Sequence, residues 1–543
     1  MRIRLLGILC LFAAVLVLSA VSASAADVVD SGTCGEVYWT FTSDGTLTLS
    51  GSGSTKYYMA PGQWPWDPYH DQIKSVMVQD GVHIGRIFED FDAGEGFYPN
   101  LTTVTINARD SFFDVFDAAS FGFSPFRGCN NLQEINVVSG NEDYSSVDGL
   151  LCNGNRTALY LCPAGKSTVE IPNTVGTIYP RAFQDCKELT SITIPDNVER
   201  FYGYTFQDCT GLTSVKIGAG LNMLYVEPFQ GADNITSIQV AEGNQQYTAL
   251  DNVLYNKDMT GIAFCPETKT SIVLPASLTQ IPSSNVLSSK LEQIAVDPAN
   301  EKFTAVDGIL YNKDKTELLC CPQGKAGEVT VPDGVTSISG FSGCSKLTRI
   351  ALPASTQNLS WGAFKGCTSL TSMAIPDGLT KTREWFRNCT SLTSVTIPVS
   401  LTQIDWYTFH ECTSLKDVYY LGTKEQWEKV KIEESHNEAL LSASVHFVPG
   451  DGPILSAALT GGEAPELTVK LFYDGTDPAA ACFCFYDGNG RQLGAAETMD
   501  LPMDEGVTKI ISAPVGTMWA KAFVINTNDF RPLCVCEKAV LAD

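Results

Sequence analysis

A chain of 543 residues that is 44% hydrophobic and only 18% charged is too apolar to stay unfolded. It is also about twice the length at which one hydrophobic core stops growing, so several units or an array of repeats is expected. Lys+Arg 36 against Asp+Glu 61 gives a net charge of −25, which argues against nucleic acid or an anionic membrane surface as partner.

Arg2 and Arg4, the apolar run Leu5 to Leu18 and then Ala23-Ser24-Ala25 form a secretory signal peptide, with cleavage expected after Ala25. The run is shorter than the ~20 residues needed to span a bilayer. No later stretch is long and apolar enough to span, so the mature chain is expected to be secreted or held on a surface non-covalently. Residues 26–97 read as a β-rich cap: Thr46-Leu47-Thr48-Leu49 alternates, and an aromatic loop follows at Trp64, Trp66 and Tyr69. The end of a repeat array exposes core and needs such a lid.

Residues 98–448 carry a repeat. Cys186 and Cys209 are 23 apart, and Cys344, Cys367, Cys389 and Cys412 follow one another at 23, 22 and 23. A Phe stands three residues before each (Phe183, Phe206, Phe341, Phe364, Phe386, Phe409), as Phe126 stands before Cys129. After each Cys comes L-x-x-[I/V/M]-x-[I/L], as in Leu189–Ile194, often closed by Pro. One such coil cannot bury its apolar side alone, whereas stacked coils share a continuous core. A longer insertion recurs at Asp148–Cys162, Asp251–Cys265 and Asp307–Cys321, each 14 apart. It reads as a hairpin with an Asn-containing turn and a second strand ending at Cys-Pro. Thr423–Lys431 reads as a short helix in the closing coil, with Thr423 as its N-cap.

Residues 449–453 are a turn-rich linker. Residues 454–543 alternate apolar and polar positions around the turn Asp487-Gly-Asn-Gly490, the pattern of an immunoglobulin-like β-sandwich.

The Phe-x-x-Cys-x-x-Leu-Thr-Ser-Val-Thr-Ile-Pro cadence resembles the BspA-type leucine-rich repeat surface proteins of bacteria. Cys34-Gly35 with Trp39-Thr-Phe, and Tyr419 through Phe447, are similar to the opening and terminal modules of such arrays, extending the likeness over roughly residues 31–448. The stretch Phe88–Phe123 departs from the pattern. The resemblance implies a mainly β, curved leucine-rich repeat solenoid engaged in adhesion or partner binding, and it brings no catalytic residues.

The five histidines show no H-E-x-x-H spacing, and neither G-x-S-x-G nor a phosphate loop is present. No enzyme, cofactor or metal is therefore expected. Repeat cysteines read as a buried ladder of small side chains, or as cross-linked neighbours. The pairs Cys482/Cys484 and Cys534/Cys536 read as sandwich-core thiols, a cross-strand disulfide or a zinc site. The outward strand positions, such as Thr190, Ser191, Thr193, Thr371, Ser372 and Thr396, offer no anchor residue. Trp361, Trp385 and Trp406 lie three, one and three residues before a repeat Phe, and Tyr204, Tyr202 and Tyr407 sit close to equivalent positions. They read either as a stripe that stacks on sugars or a peptide, or as packing over the edge of the core. The expected role is that of a monomeric, non-catalytic binding or adhesion protein with an extracellular protein or glycan as partner. A stalk displaying the C-terminal domain, and an extracellular carbohydrate-active enzyme, are the alternatives.

Overall fold

The computed structural model describes residues 26–55, 64–83, 98–107, 126–225, 227–280 and 287–447 in full, and the backbone of seven strands between 456 and 540. The expected signal peptide, the linker, most of the irregular stretch Phe88–Phe123 and the side chains of both C-x-C pairs lie outside the described residues. The chain divides into two compact units, Met1–Asp258 and Met259–Asp543. Both are built of short strands, and the α-helices among the described residues are Lys424–Trp427 and Glu438–Ser442.

The first unit opens with the antiparallel strands Val28–Cys34, Val37–Thr42 and Thr46–Gly51. The last of these pairs in parallel with Ser75–Val78, which leads on to Thr103–Ile106 and Glu134–Val137. The cap aromatics close this end of the core: Trp64 stacks on Trp66 at 5.8 Å and Phe41 on Tyr69 at 4.7 Å. Asp67 is buried there because it accepts from the Trp64 backbone N–H at 2.6 Å and from the Tyr98 hydroxyl at 2.8 Å.

The repeats then run in register. Ser191–Ile194, Ser214–Ile217 and Ser237–Val240 form a parallel ladder in which Ile192, Val215 and Ile238 stand side by side. In the first of these strands the buried pair Ile192 and Ile194 alternates with exposed Ser191 and Thr193. Later in each coil a two-residue strand builds a second parallel ladder, Thr177–Ile178 to Arg200–Phe201 to Met223–Leu224. The second unit repeats the plan with Leu347–Ala351, Ser372–Ala374, Ser394–Ile397, Asp417–Tyr420 and Ser444–Phe447.

Two columns of side chains hold the coils together. Phe183, Phe206 and Phe229 stack at 4.8 and 5.5 Å in the first unit. Phe341, Phe364, Phe386 and Phe409 stack at 5.8, 5.5 and 5.4 Å in the second. The thirteen described cysteines are all buried and none is in a disulfide. The repeat thiols are more than apolar filler. Cys209, Cys367, Cys389 and Cys412 donate to the carbonyls of Phe183, Phe341, Phe364 and Phe386, each one coil earlier, at 2.9 to 3.2 Å.

The insertions contain the expected hairpin, Leu150–Asn153 with Ala158–Leu161 and Ile309–Asn312 with Glu317–Cys320, and add a strand before it. Asp148-Gly149 and Asp307-Gly308 have positive φ (50°, 76°, 50° and 77°) and form the turn between that added strand and the hairpin. That turn needs φ > 0 at both central residues, which suits Asp-Gly. It joins Tyr144–Val147 to Leu150–Asn153, and Phe303–Val306 to Ile309–Asn312, so each insertion is a three-stranded meander. A buried Asn anchors its start. Asn300 donates to the carbonyls of Pro275 and Leu278 at 2.9 and 3.0 Å, and its Oδ1 accepts from the N–H groups of Lys302 and Phe303 at 2.9 and 2.8 Å.

The closing helix starts where the sequence places it, with Thr423 and Gln426 forming a reciprocal capping box. It stops at Trp427, because the chain then pairs Lys431–Ile432 with Gln403–Ile404. Beyond the linker, Ser456–Thr460, Glu466–Tyr473 and Glu505–Ser512 form one antiparallel sheet. Glu497–Asp500, Ala479–Tyr486, Trp519–Asn526 and Glu537–Val540 form another.

Candidate binding surface

The candidate aromatics lie in the bend between the short strand and the repeat Phe. Two backbone inversions shape that bend. The residue two before the Phe takes positive φ in coil after coil: Arg181 (58°), Tyr204 (60°), Glu227 (51°), Gly362 (60°), Glu384 (51°) and Tyr407 (57°). So does the residue two after it, among others Asp185 (61°), Asp208 (59°), Gly366 (75°) and Asn388 (62°). Gly, Asn and Asp tolerate this region best, and an aromatic there carries about 1–2 kcal/mol of strain. The first inversion turns the chain inward. The residue just before the Phe is therefore buried in the coils that carry this inversion, as Ala182, Thr205, Ala363 and Thr408 show, while the third residue before it is half-buried or exposed. The Phe341 coil lacks the inversion and buries Ile338 instead.

That rule sorts the candidates. Trp361 and Trp406 occupy the outward position and are 68% and 59% exposed. Trp385 occupies the inward position and is 1% exposed, so it does not join an exposed stripe. Its coil is one residue short and has Lys381 and Thr382 where its neighbours carry the buried Leu359 and Ile404, and the indole fills that layer of the core. The fit is imperfect, since the Trp385 indole N–H has no acceptor.

Tyr204 and Tyr407 are half-buried under cations. The Arg181 guanidinium lies 5.5 Å over the Tyr204 ring. Tyr407 is covered twice, by Arg387 at 5.0 Å and by His436 stacked at 4.1 Å. Tyr202 and Tyr204 lie in the first unit and the other four candidates in the second.

Ion pairs surround Trp406. Lys381 meets Asp405 at 3.3 Å, Arg387 meets Glu384 at 3.3 Å and Lys431 meets Glu433 at 3.0 Å. Hydrogen bonds from Lys431 and then from the Trp406 indole hold the Glu433 carboxyl below its ordinary range, which ties the indole to the surface.

The strand face shows a different use of its hydroxyls. Thr213 donates to the Thr190 carbonyl at 3.0 Å and Thr393 to the Thr371 carbonyl at 2.9 Å, so these hydroxyls bridge neighbouring coils. Beside Ser191 and Thr193 lies a groove of about 370 Å³, bordered also by Thr168, Val169, Glu170 and Ile171.

The description "BspA type Leucine rich repeat region" matches residues 156–270 and 320–436, in six copies. Those residues carry BspA-type leucine-rich repeats. No curated protein matches the sequence. Among solved structures, a leucine-rich cell surface protein from Faecalibacterium prausnitzii is similar at 20% identity, over 75% of this chain and 99% of that one, with a TM-score of 0.36. A leucine-rich repeat protein from Eubacterium ventriosum is similar at 21% identity, over 77% and 85%, with a TM-score of 0.33. One from Bacteroides ovatus is similar at 20% identity, over 78% and 99%, with a TM-score of 0.31. Among the described residues no helix is long and apolar enough to cross a membrane.

Within these repeats the structure joins Tyr202 to neighbours that reading the sequence missed. Tyr160, Tyr179, Tyr202 and Tyr225 form a ladder in the first unit at 4.8, 5.8 and 4.8 Å. Three of them stand four residues before Phe183, Phe206 and Phe229, a spacing that was there to be read. Tyr202 and Tyr225 turn their faces toward each other, at 11° between planes. Arg383 stands three residues before Phe386 and is exposed in the coil between Trp361 and Trp406.

Proposed function

We propose that this is an exported, non-catalytic binding or adhesion protein whose repeat surface recognises an extracellular protein or glycan. The observation that supports this most is the pair Trp361 and Trp406. Large indoles lose free energy in water and are normally covered, yet both stand exposed at the same repeat position while Trp385 in the coil between them is buried. A rigid array contributes affinity because little has to be ordered on binding. The expected leader Arg2–Ala25 and the repeat type fit a role outside the cell.

The test is a binding screen of the full chain against glycans, mucins and extracellular-matrix proteins, repeated with Trp361→Ala and Trp406→Ala. Saturable binding that weakens in these variants, with thermal unfolding unchanged, is the expected result. Binding that is indifferent to both would move the site to the strand face or the C-terminal strands. No binding by folded protein would favour the stalk role.

A further inference from the structure

Resting on that binding role, we infer that Trp361, Arg383 and Trp406 form one site for an acidic glycan. Sugar faces stack on the two indoles and a carboxylate or sulfate pairs with the guanidinium between them.

The register supplies the geometry. Gly362 N–H bonds the Arg383 carbonyl at 2.8 Å, and Phe386 N–H bonds the Thr408 carbonyl at 3.0 Å. Gly362, Glu384 and Tyr407 share the inverted backbone, so the residues just before them occupy equivalent places on three successive coils. Adjacent parallel strands lie about 5 Å apart, which places the two indole positions about 10 Å apart along the stack. In an extended β-linked glycan, alternate rings present the same face, so one chain can meet both platforms.

Charge selects the kind of glycan. The cations around Trp406 at Lys381, Arg387 and Lys431 are each paired with a carboxylate. Arg383 is exposed and has no carboxylate within ion-pair distance among the described residues. Lys365 is exposed too, its stem lying against Gly362 beside Trp361. Two unpaired cations flanking exposed indoles, on a chain of net charge −25, mark a place where an anion is locally favoured. The same net charge repels a dense polyanion at long range, so a sugar chain bearing sparse acidic groups suits the site better than nucleic acid does.

Shape separates a glycan from an acidic peptide. Peptide anchors are held in desolvated pockets, whereas both indoles here are open platforms. A flat sugar ring needs no pocket, because its C–H face lies on the π-face of the indole.

The test is calorimetric titration of the full chain with three hexasaccharides: one bearing uronic acids, one bearing sulfates and one neutral. A poly-glutamate peptide is the fourth probe. Binding of either acidic hexasaccharide is expected to weaken about tenfold in Trp361→Ala, in Trp406→Ala and in Arg383→Gln, the scale of one lost charge-assisted contact. Arg383→Lys should restore part of it, and circular dichroism should show all variants folded. Uronate against sulfate tells which anion is read. A neutral hexasaccharide bound equally well and indifferent to Arg383→Gln overturns the proposal, as does binding of the peptide alone. If a protein from the wider screen responds to the Trp variants while no acidic glycan binds, the ligand class is wrong and the binding role stands. If a ligand binds but is indifferent to the Trp variants, this site is wrong and the binding role stands; if nothing binds the folded chain, both fail.

Discussion

The Cys389 thiol donates to the backbone carbonyl of Phe364, one coil earlier, at 3.2 Å. The same relationship joins Cys412 to Phe386 at 3.0 Å and Cys367 to Phe341 at 3.2 Å. Each thiol is a second donor to a carbonyl beside the stacked Phe column that already accepts the backbone N–H of its own coil's Cys. The repeat needs a side chain at this place that is small, apolar enough to bury and still able to donate, and Cys meets all three conditions. Cys389→Ala removes the sulfur's packing and one of the two donors to the Phe364 carbonyl, which keeps the Cys367 N–H at 3.1 Å, a loss of about 1–2 kcal/mol. Guanidinium unfolding should show it as a lower midpoint with unchanged slope. An unchanged midpoint would mean that the thiol is only a spacer.

The same burial makes stability depend on pH. Desolvation raises the thiols of Cys367 and Cys412 from the usual 9.0 to about 12. Between those values the unfolded chain has released protons that the folded chain still holds, so the unfolded state binds fewer and stability falls as pH rises. The contribution is whole below about pH 9. The unfolding midpoint should drop from pH 9 to pH 11 and drop less steeply in the Cys367→Ala/Cys412→Ala variant. Equal slopes would place the effect in other groups.

The two kinds of Trp should part company. Trp385→Ala empties a buried layer between stacked coils and is expected to cost about 3–5 kcal/mol. Trp385→Phe should cost far less, since it keeps most of the ring and removes an indole N–H that has no acceptor. Trp361→Ala, at an exposed site, should stay within about 0.5 kcal/mol. Thermal melts of the three variants check the order, and a Trp361→Ala variant as unstable as Trp385→Ala would make Trp361 a core residue.

Asn300 is fully buried and uses four hydrogen bonds to fix the start of its meander. Asn300→Ala strands the Leu278 carbonyl and two N–H groups, while the Pro275 carbonyl keeps the Leu278 N–H at 3.1 Å, at a cost of about 3 kcal/mol. Asn300→Asp should be worse at neutral pH, because a carboxylate then faces the Pro275 and Leu278 carbonyls in place of a donor. Recovery of that variant on acidification, followed by urea unfolding, would support the account. Wild-type stability in Asn300→Ala would end it.

Much of the array was legible because a repeated coil writes its contacts at a fixed spacing. The Phe and Cys columns, the strand positions and the Thr423 cap all follow from periodicity and local chemistry. The meander was only partly legible. Asp307-Gly308 is a strong turn signal, but the strand Phe303–Val306 before it is short and half-polar and so hid the pairing. The aromatic positions were legible as a group, but their directions were not.

The sequence by itself determined the stacked repeat and which residues share a column, because side chains 22 or 23 residues apart must pack on one another if each coil is to bury its apolar side. Only the tertiary structure decided which aromatics face water. One left-handed residue in each of these three coils, at Gly362, Glu384 and Tyr407, reverses the alternation, sending Trp385 inward and leaving Trp361 and Trp406 outside. It also decided that Arg387 and His436 both lie against the Tyr407 ring, since those residues meet only when the coils are laid on one another.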